Sequence, residues 1–318
     1  AGLFNPPVLS GTGDLAWFAV NVFVCTTGFS IMSINYQALG ALWPASSPDR
    51  TRITGTREAL GLVGILAASV LPSVLRWYAR HSGTAAKAPS LATAPSVATA
   101  PGGFRDLLRD GWARRFYGIY FISNFASAIP AVLVLFYIRD RLAAETWTGL
   151  FLLVYFLSGA VSMPVWHRVA RRVGTARAWG TSMVVAVITF VWAFSLGAGD
   201  IVPFVIVCVL SGAALGADLS LPPALLADRI DHVGDQAIAS RYFSGAAFFA
   251  KASFALATGL TLPMLDALGY VPGQPAVAEI GIYLSGVYAL VPCAIKITAA
   301  VWLFRSLNMI AEKPRIEN

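Results

Sequence analysis

The residues best able to do chemistry are a few ionisable side chains set inside long apolar runs. Asp218 stands in GAALGADLSLPPALLADRIDHVGD, residues 212–235, among Gly, Ala and Ser. Pro222-Pro223 follow it, and Asp228, Asp231 and Asp235 form an acidic end. Lys251 lies about nine residues into the run 243–265, amid Phe248, Phe249, Ala250, Ala252 and Phe254. Lys296 lies well inside the run 281–304. An ionised group at membrane depth is costly, so it faces a bundle interior or a wet cavity and marks ion or substrate pathways. Lys251 is too deep to reach an interface easily and needs a partner or water; for Lys296, snorkelling toward an interface is a plausible alternative.

Uncharged polar groups gather in two places, near the end of one span and at helical spacing along another. Ser33, Asn35, Tyr36 and Gln37 close the first apolar run, and Tyr117, Tyr120, Asn124 and Ser127 run along the third. Two readings stay open for both: hydrogen-bonding glue between helices, or the lining of a polar substrate cavity. A rival chemistry is available to Asp228-x-x-Asp231-x-x-x-Asp235, which could chelate Mg²⁺ and hold a diphosphate in a membrane-embedded transferase. Two metals sharing one diphosphate need a second acidic cluster facing the first, and the 16 acidic residues supply no second group of three. The chain therefore reads as a non-enzyme with no catalytic residue, no metal and no cofactor.

The elements that must position these residues are membrane helices. Hydrophobic residues make up 57% of the 318, charged residues 12%, and mean hydropathy is +0.68. That balance excludes disorder and an ordinary globular domain. Eight segments approach the ~20 apolar residues a span needs: about 15–43, 58–75, 115–137, 146–166, 178–197, 201–226, 243–265 and 281–304. None shows the sustained alternation of a barrel strand. The net charge of +7 comes from short basic clusters between apolar runs, with no basic stripe interleaved with stacking aromatics, so nucleic acid is not an expected partner. Cys25, Cys208 and Cys293 sit inside apolar runs and read as small core residues. Ala1–Gly13 has no basic n-region, and with no initiator Met the sequence suggests a processed or partial chain.

Residues 83–103, GTAAKAPSLATAPSVATAPGG, read as a flexible linker. They divide an N-terminal piece, 1–82, from a C-terminal six-helix bundle, 104–318. FRDLLRDGWARR, 104–115, reads as an amphipathic interfacial helix, with Arg105, Arg109, Asp106 and Asp110 on one face. HRVARRVGTAR, 167–177, reads as a solvated arginine-rich loop that includes His167. The basic regions at 50–57, 76–115, 168–177, Arg229, Arg241 and the C-terminus belong on the cytoplasmic side, and Arg139 and Arg141 on the other. A single crossing by 58–75 would break that bias. The linker is therefore expected in the cytoplasm, with 58–75 re-entrant, displaced or dependent on a partner.

Several stretches together resemble the glycoside–pentoside–hexuronide:cation symporters, the melibiose-carrier branch of the major facilitator superfamily. They are GADLSLPPALLADRID (216–231), RYFSGAAFFAK (241–251), INYQALGALWPASSPDRTRITGTRE (34–58) and residues 104–172. The resemblance implies an all-α polytopic bundle with about eight transmembrane helices present. By that alignment helices one to three are absent, and a sixth is missing between about Leu75 and Arg76. It implies a role in coupling for Lys251, cavity lining by Tyr36, Gln37, Asn124 and Ser127, and an arginine opening helix five at Arg57. Ser33 stands where the carriers have a sugar-binding carboxylate, which argues against galactoside specificity.

The expected function is secondary transport of a polar small solute, such as a sugar, by alternating access in a cell (inner) membrane, driven by H⁺ or Na⁺. Lys251 is the expected charge partner in coupling, with Ser33, Tyr36, Gln37, Tyr120, Asn124 and Ser127 lining the cavity. Arg57, Asp228 and Asp231 are expected to form a cytoplasmic gating network. Solute, coupling cation and membrane lipid are the expected partners. A non-transporting remnant is the alternative.

Overall fold

The computed structural model describes residues 109–233, 239–267, 269–270 and 278–310. The segments 15–43 and 58–75, the linker 83–103 and the proposed gap at Leu75–Arg76 lie outside the described residues. So do Ser33, Tyr36, Gln37, Arg57 and Asp235.

The described chain is helical and contains no strand. Helix α1 is Gly111–Phe136, continued by a π-turn at Tyr137–Arg141. Helix α2 is Thr148–Val173, α3 Thr175–Val191, α4 Ile201–Val233 and α5 Ala239–Ala267. Helix α6, Ala278–Ser285, joins α7, Val291–Arg305, through a second π-turn at Gly286–Leu290. A last turn, α8, is Leu307–Ile310. Six of these rods are long and apolar enough to cross a bilayer, matching the last six segments expected from sequence.

Two sequence expectations need correction. Residues 111–115 do not belong to a separate interfacial helix. The Asp110 carboxylate accepts a hydrogen bond from the Trp112 N–H at 3.0 Å and caps α1, so the span itself starts at Gly111 and buries Trp112. Residues 167–177 do not form a loop. Helix α2 runs on to Val173, and Gly174 alone, at φ 92°, turns the chain into α3. Arginines late in a span extend their heads to water, so a helix need not stop where its charges begin. His167 is consequently a helical, half-buried residue. Its Nε2 is buried and finds no hydrogen bond among the described residues.

Packing follows a repeated scheme. Helix α1 packs on α5 as α4 packs on α2, and α1 packs on α7 as α4 packs on α3. The sets α1–α2–α3 and α4–α5–α7 thus use equivalent contacts, so the bundle repeats one three-helix unit. The α2–α4 seam explains the small residues around Asp218. Ser158 and Ser162 donate to the carbonyls of Val209 and Ala213 at 2.5 and 2.9 Å, and Trp166 Nε1 donates to Ala213 at 2.7 Å. Gly212 and Gly216 let the α2 backbone come close enough for these bonds.

The core has two aromatic-rich parts. One holds Trp112, Phe116, Tyr117, Trp179 and Phe243 at the end where α1 begins. The other holds Tyr137, Phe151, Phe204 and Tyr288 at the opposite end. Arg109, Arg114, Arg115, Arg168, Arg171, Arg172, Arg177, Arg229, Arg241 and Arg305 gather at the first end, and Arg139 and Arg141 at the second.

Candidate functional site

Between the two aromatic cores lies an ion pair. Asp218 sits about halfway along the 33-residue α4, and its Oδ2 receives a short charge-assisted hydrogen bond from Lys296 Nζ on α7. The other oxygen, Oδ1, accepts from Trp179 Nε1 of α3 at 3.0 Å. Lys296 Nζ also donates to Ser127 Oγ of α1 at 2.9 Å and approaches the Ser123 carbonyl at 3.4 Å. Four helices therefore meet on one pair of charges. The lysine side chain is 6% exposed and the aspartate 18%. Ser123 and Ser127 fall four residues apart, which places both on the α1 stripe facing α7.

The pair borders a cavity of about 70 Å³, enough for about two water molecules on a scale of ~30 Å³ each in the liquid. Its polar lining comes from Ser127, Tyr155, Ser211, Asp218 and Lys296, and the rest is apolar. Pro130 of α1 and Pro292 of α7 also border it, each a point where a helix lacks one backbone hydrogen bond.

Lys251 is placed elsewhere. It is exposed on α5, on a face it shares with Phe248 and Phe254, which are 56% and 51% exposed. No hydrogen bond or ion pair reaches it among the described residues. A lysine at mid-span cannot rest against hydrocarbon, so this face must meet water or another part of the protein. Asn124 Nδ2 donates to the Tyr120 carbonyl within α1 at 2.8 Å, and the Tyr120 ring stacks on Phe116 at 5.7 Å. The four polar residues of α1 thus divide. Ser127 serves the ion pair, Tyr117 donates to the Tyr242 carbonyl of α5 at 2.7 Å, and Tyr120 and Asn124 pair along their own helix.

At the basic end, Asp228 is half-buried and Asp231 exposed on the last turns of α4. A charge cluster at this end centres on Asp110. Arg229 donates to Asp110 at 3.1 Å and lies 5.3 Å from the Trp112 ring centroid, while the Tyr242 hydroxyl donates to the same carboxylate at 3.0 Å. This cluster ties α1, α4 and α5 together. Burial pushes the Asp110 carboxyl up, but the Trp112 N–H, the Tyr242 hydroxyl and Arg229 outweigh it and hold it below the usual carboxylate value. A depressed folded value means that the stabilisation is present above the unfolded pKa and is lost as acid carries the pH down through the folded one. Asp110→Ala is expected to lower stability at neutral pH by about 2 kcal/mol, from a lost cap and two charge-assisted bonds. The deficit should shrink on acidification below about pH 4. Thermal melts of the detergent-solubilised protein at several pH values check both points; a deficit independent of pH would contradict the charged role.

The family described as MFS/sugar transport protein matches residues 1–89 and 77–308. The chain belongs to that family. No curated protein matches it. Membership of the major facilitator superfamily, with six spanning helices among the described residues, makes it a multi-pass membrane protein of a transporter family. Sequence reasoning singled out Asp218 and Lys296 separately but did not join them, and it missed Trp179, Ser123 and Tyr155. The signal that could have joined them was charge balance: one buried anion and one buried cation at mid-depth belong together.

Proposed function

We propose that this family member is a cation-coupled secondary transporter of a polar small solute, a sugar being the favoured class. Its two bundles would rock about a site at the bilayer midplane. The observation that carries this reading is Lys251, a mid-span lysine on an exposed face of α5. In a major facilitator fold such a face is expected to look onto the cavity between the two bundles, where a cationic side chain can bind solute hydroxyls or respond to a coupling ion. Asn124 and Tyr120 lie on the neighbouring helix α1 and would add hydrogen bonds; Ser33, Tyr36 and Gln37 would act from the N-terminal piece, 1–82. Arg57, Asp228 and Asp231 would close a cytoplasmic gate at the basic end, which the positive-inside bias orients toward the cytoplasm of a cell membrane.

The test is uptake by proteoliposomes holding the full chain, with a panel of labelled neutral sugars and an imposed proton or sodium gradient. Gradient-driven accumulation of at least one sugar is expected. Lys251→Ala should reduce it at least tenfold while inserting as well as wild type, because removing an exposed cation leaves no buried partner uncompensated. No accumulation of any sugar under either gradient would defeat the transport reading. A Lys251→Ala variant transporting at the wild-type rate would remove Lys251 from it.

A further inference from the structure

A cluster of unneutralised charge lies where α2 turns into α3. Arg168, Arg171, Arg172 and Arg177 are all exposed there, and none of their guanidinium groups is paired among the described residues. No Asp or Glu occurs in the sequence between Glu145 and Asp200. The acids that reach this end belong to other helices. Asp110 is held by Arg229, and Asp228 and Asp231 stand on the last turns of α4 without pairing to any of the four.

These arginines are placed more particularly than a positive-inside bias requires. On α2, Leu157, Val161, Val165, Arg168 and Arg172 recur at spacings of three or four and form one exposed stripe. Val161 and Val165 are 66% and 52% exposed. On α3, Arg177, Thr181, Val184 and Ile188 form a second exposed stripe in the same order, cation at the end and apolar residues below it. The two helices touch, and Gly174 alone joins them at φ 92°, which brings both cationic ends to one edge of the bundle.

Depth decides what such a site can hold. A hydrocarbon core of ~30 Å takes about 20 residues of helix. Centred on α2, Thr148–Val173, that core ends near Arg168. Side chains on a helix lean toward its N-terminus, so the three arginines of α2 lean back toward the bilayer. Their heads then lie at the level of lipid phosphates. No lysine stands at this end among the described residues, and the planar guanidinium pairs with a phosphate through two parallel bonds, which an ammonium cannot do.

We propose that the α2–α3 turn is a binding site for an anionic glycerophospholipid. Arg168 and Arg172, with Arg171 and Arg177 beside them, hold the headgroup phosphate, and an acyl chain lies along Leu157, Val161 and Val165. The occupant carries net negative charge, because a zwitterionic headgroup would bring its own ammonium against four cations with no carboxylate to receive it. It carries an acyl chain, because the apolar stripe continues directly below the cations. The site shares no residue with the face that carries Lys251 and stands whatever solute is moved.

The experiment is native mass spectrometry of the full chain, released from micelles that hold equal phosphatidylglycerol and phosphatidylcholine. Wild type should retain the anionic lipid over the zwitterionic one by at least about fivefold, the worth of one basic residue against an anionic headgroup. Arg168→Gln/Arg172→Gln should bring the two lipids to equal retention. Arg114→Gln/Arg305→Gln removes as much charge from exposed arginines on α1 and α7 and should leave the preference in place. Equal retention of both lipids by wild type would describe ordinary solvation by lipid, and equal loss in the two variants a net-charge effect; either overturns the proposal. A second measurement uses wild type alone and needs no variant to fold. Excess inorganic phosphate should leave the bound lipid in place, and its displacement would show an anion site indifferent to the acyl chain and overturn the lipid assignment. No uptake is measured, so failure here and failure of the transport reading are distinguishable.

Discussion

Lys296→Ala is expected to destabilise the folded bundle by about 3–5 kcal/mol, the cost of leaving a buried charge without its partner. Asp218 would keep one hydrogen bond, from Trp179, but lose the cation on its other oxygen. The truncated side chain would also enlarge the cavity beside it. Asp218→Asn is expected to cost less, because Lys296 retains Ser127 Oγ and the Ser123 carbonyl and can also donate to the new amide oxygen. The double variant Asp218→Asn/Lys296→Met should recover most of the loss, since it buries no ion at all. Thermal unfolding of the four proteins in one detergent closes a double-mutant cycle, which isolates the coupling of the pair. A coupling well below about 1 kcal/mol would mean that the two charges are solvated independently and that the pair does not organise the bundle.

How far the sequence carried the fold depends on what each residue must satisfy locally. The six spans were legible because a helix in lipid must be apolar for about 20 residues, and no tertiary contact alters that. Helix ends were less so. Asp110 read as one charge of an amphipathic face, whereas it caps α1 at the Trp112 N–H and also holds Arg229 and Tyr242, which come from chain more than a hundred residues away. The run at 167–177 read as a loop because its arginines look solvated, yet those side chains reach water from a helix that turns only at Gly174. The site shows the same division. Asp218, Lys251 and Lys296 stood out because an ionisable residue inside an apolar run is conspicuous on any pattern. Which of them pair depends on the rotation and depth of two helices that are not neighbours in sequence, and hydropathy carries neither. Trp179 gave no signal at all, since an indole near a span end reads as an interfacial anchor until an acceptor is seen opposite its N–H.

The small residues around Asp218 lead to the second large effect. Gly216→Val is expected to cost about 3 kcal/mol and to disrupt the α2–α4 seam. A Cβ at this position would collide with the Gly159 carbonyl and with Ser162 Oγ, and a Cβ at Gly212 would collide with the Tyr155 carbonyl. Backbone cannot rotate away from such a contact. The two helices must separate, and with them go the bonds from Ser158, Ser162 and Trp166 to the α4 carbonyls. Asp218 is two residues from Gly216, so the shift would reach the ion pair as well. Two other glycines give the contrast. At Gly118 the nearest atoms belong to the Trp302 ring, at 2.5 and 2.9 Å. Trp302 is 38% exposed, so its ring has room to swing aside and Gly118→Ala should cost less. At Gly259 nothing lies within 4 Å, and Gly259→Ala should be neutral or gain about 0.5–1 kcal/mol from helix propensity. The melting temperatures of Gly212→Val, Gly216→Val, Gly118→Ala and Gly259→Ala, measured on the full chain in one detergent, should fall in that order of severity, the two valine variants well below the rest. A Gly216→Val protein as stable as Gly259→Ala would show that α2 and α4 do not approach as closely as described, and the placement of Asp218 against α7 would lose its main structural support.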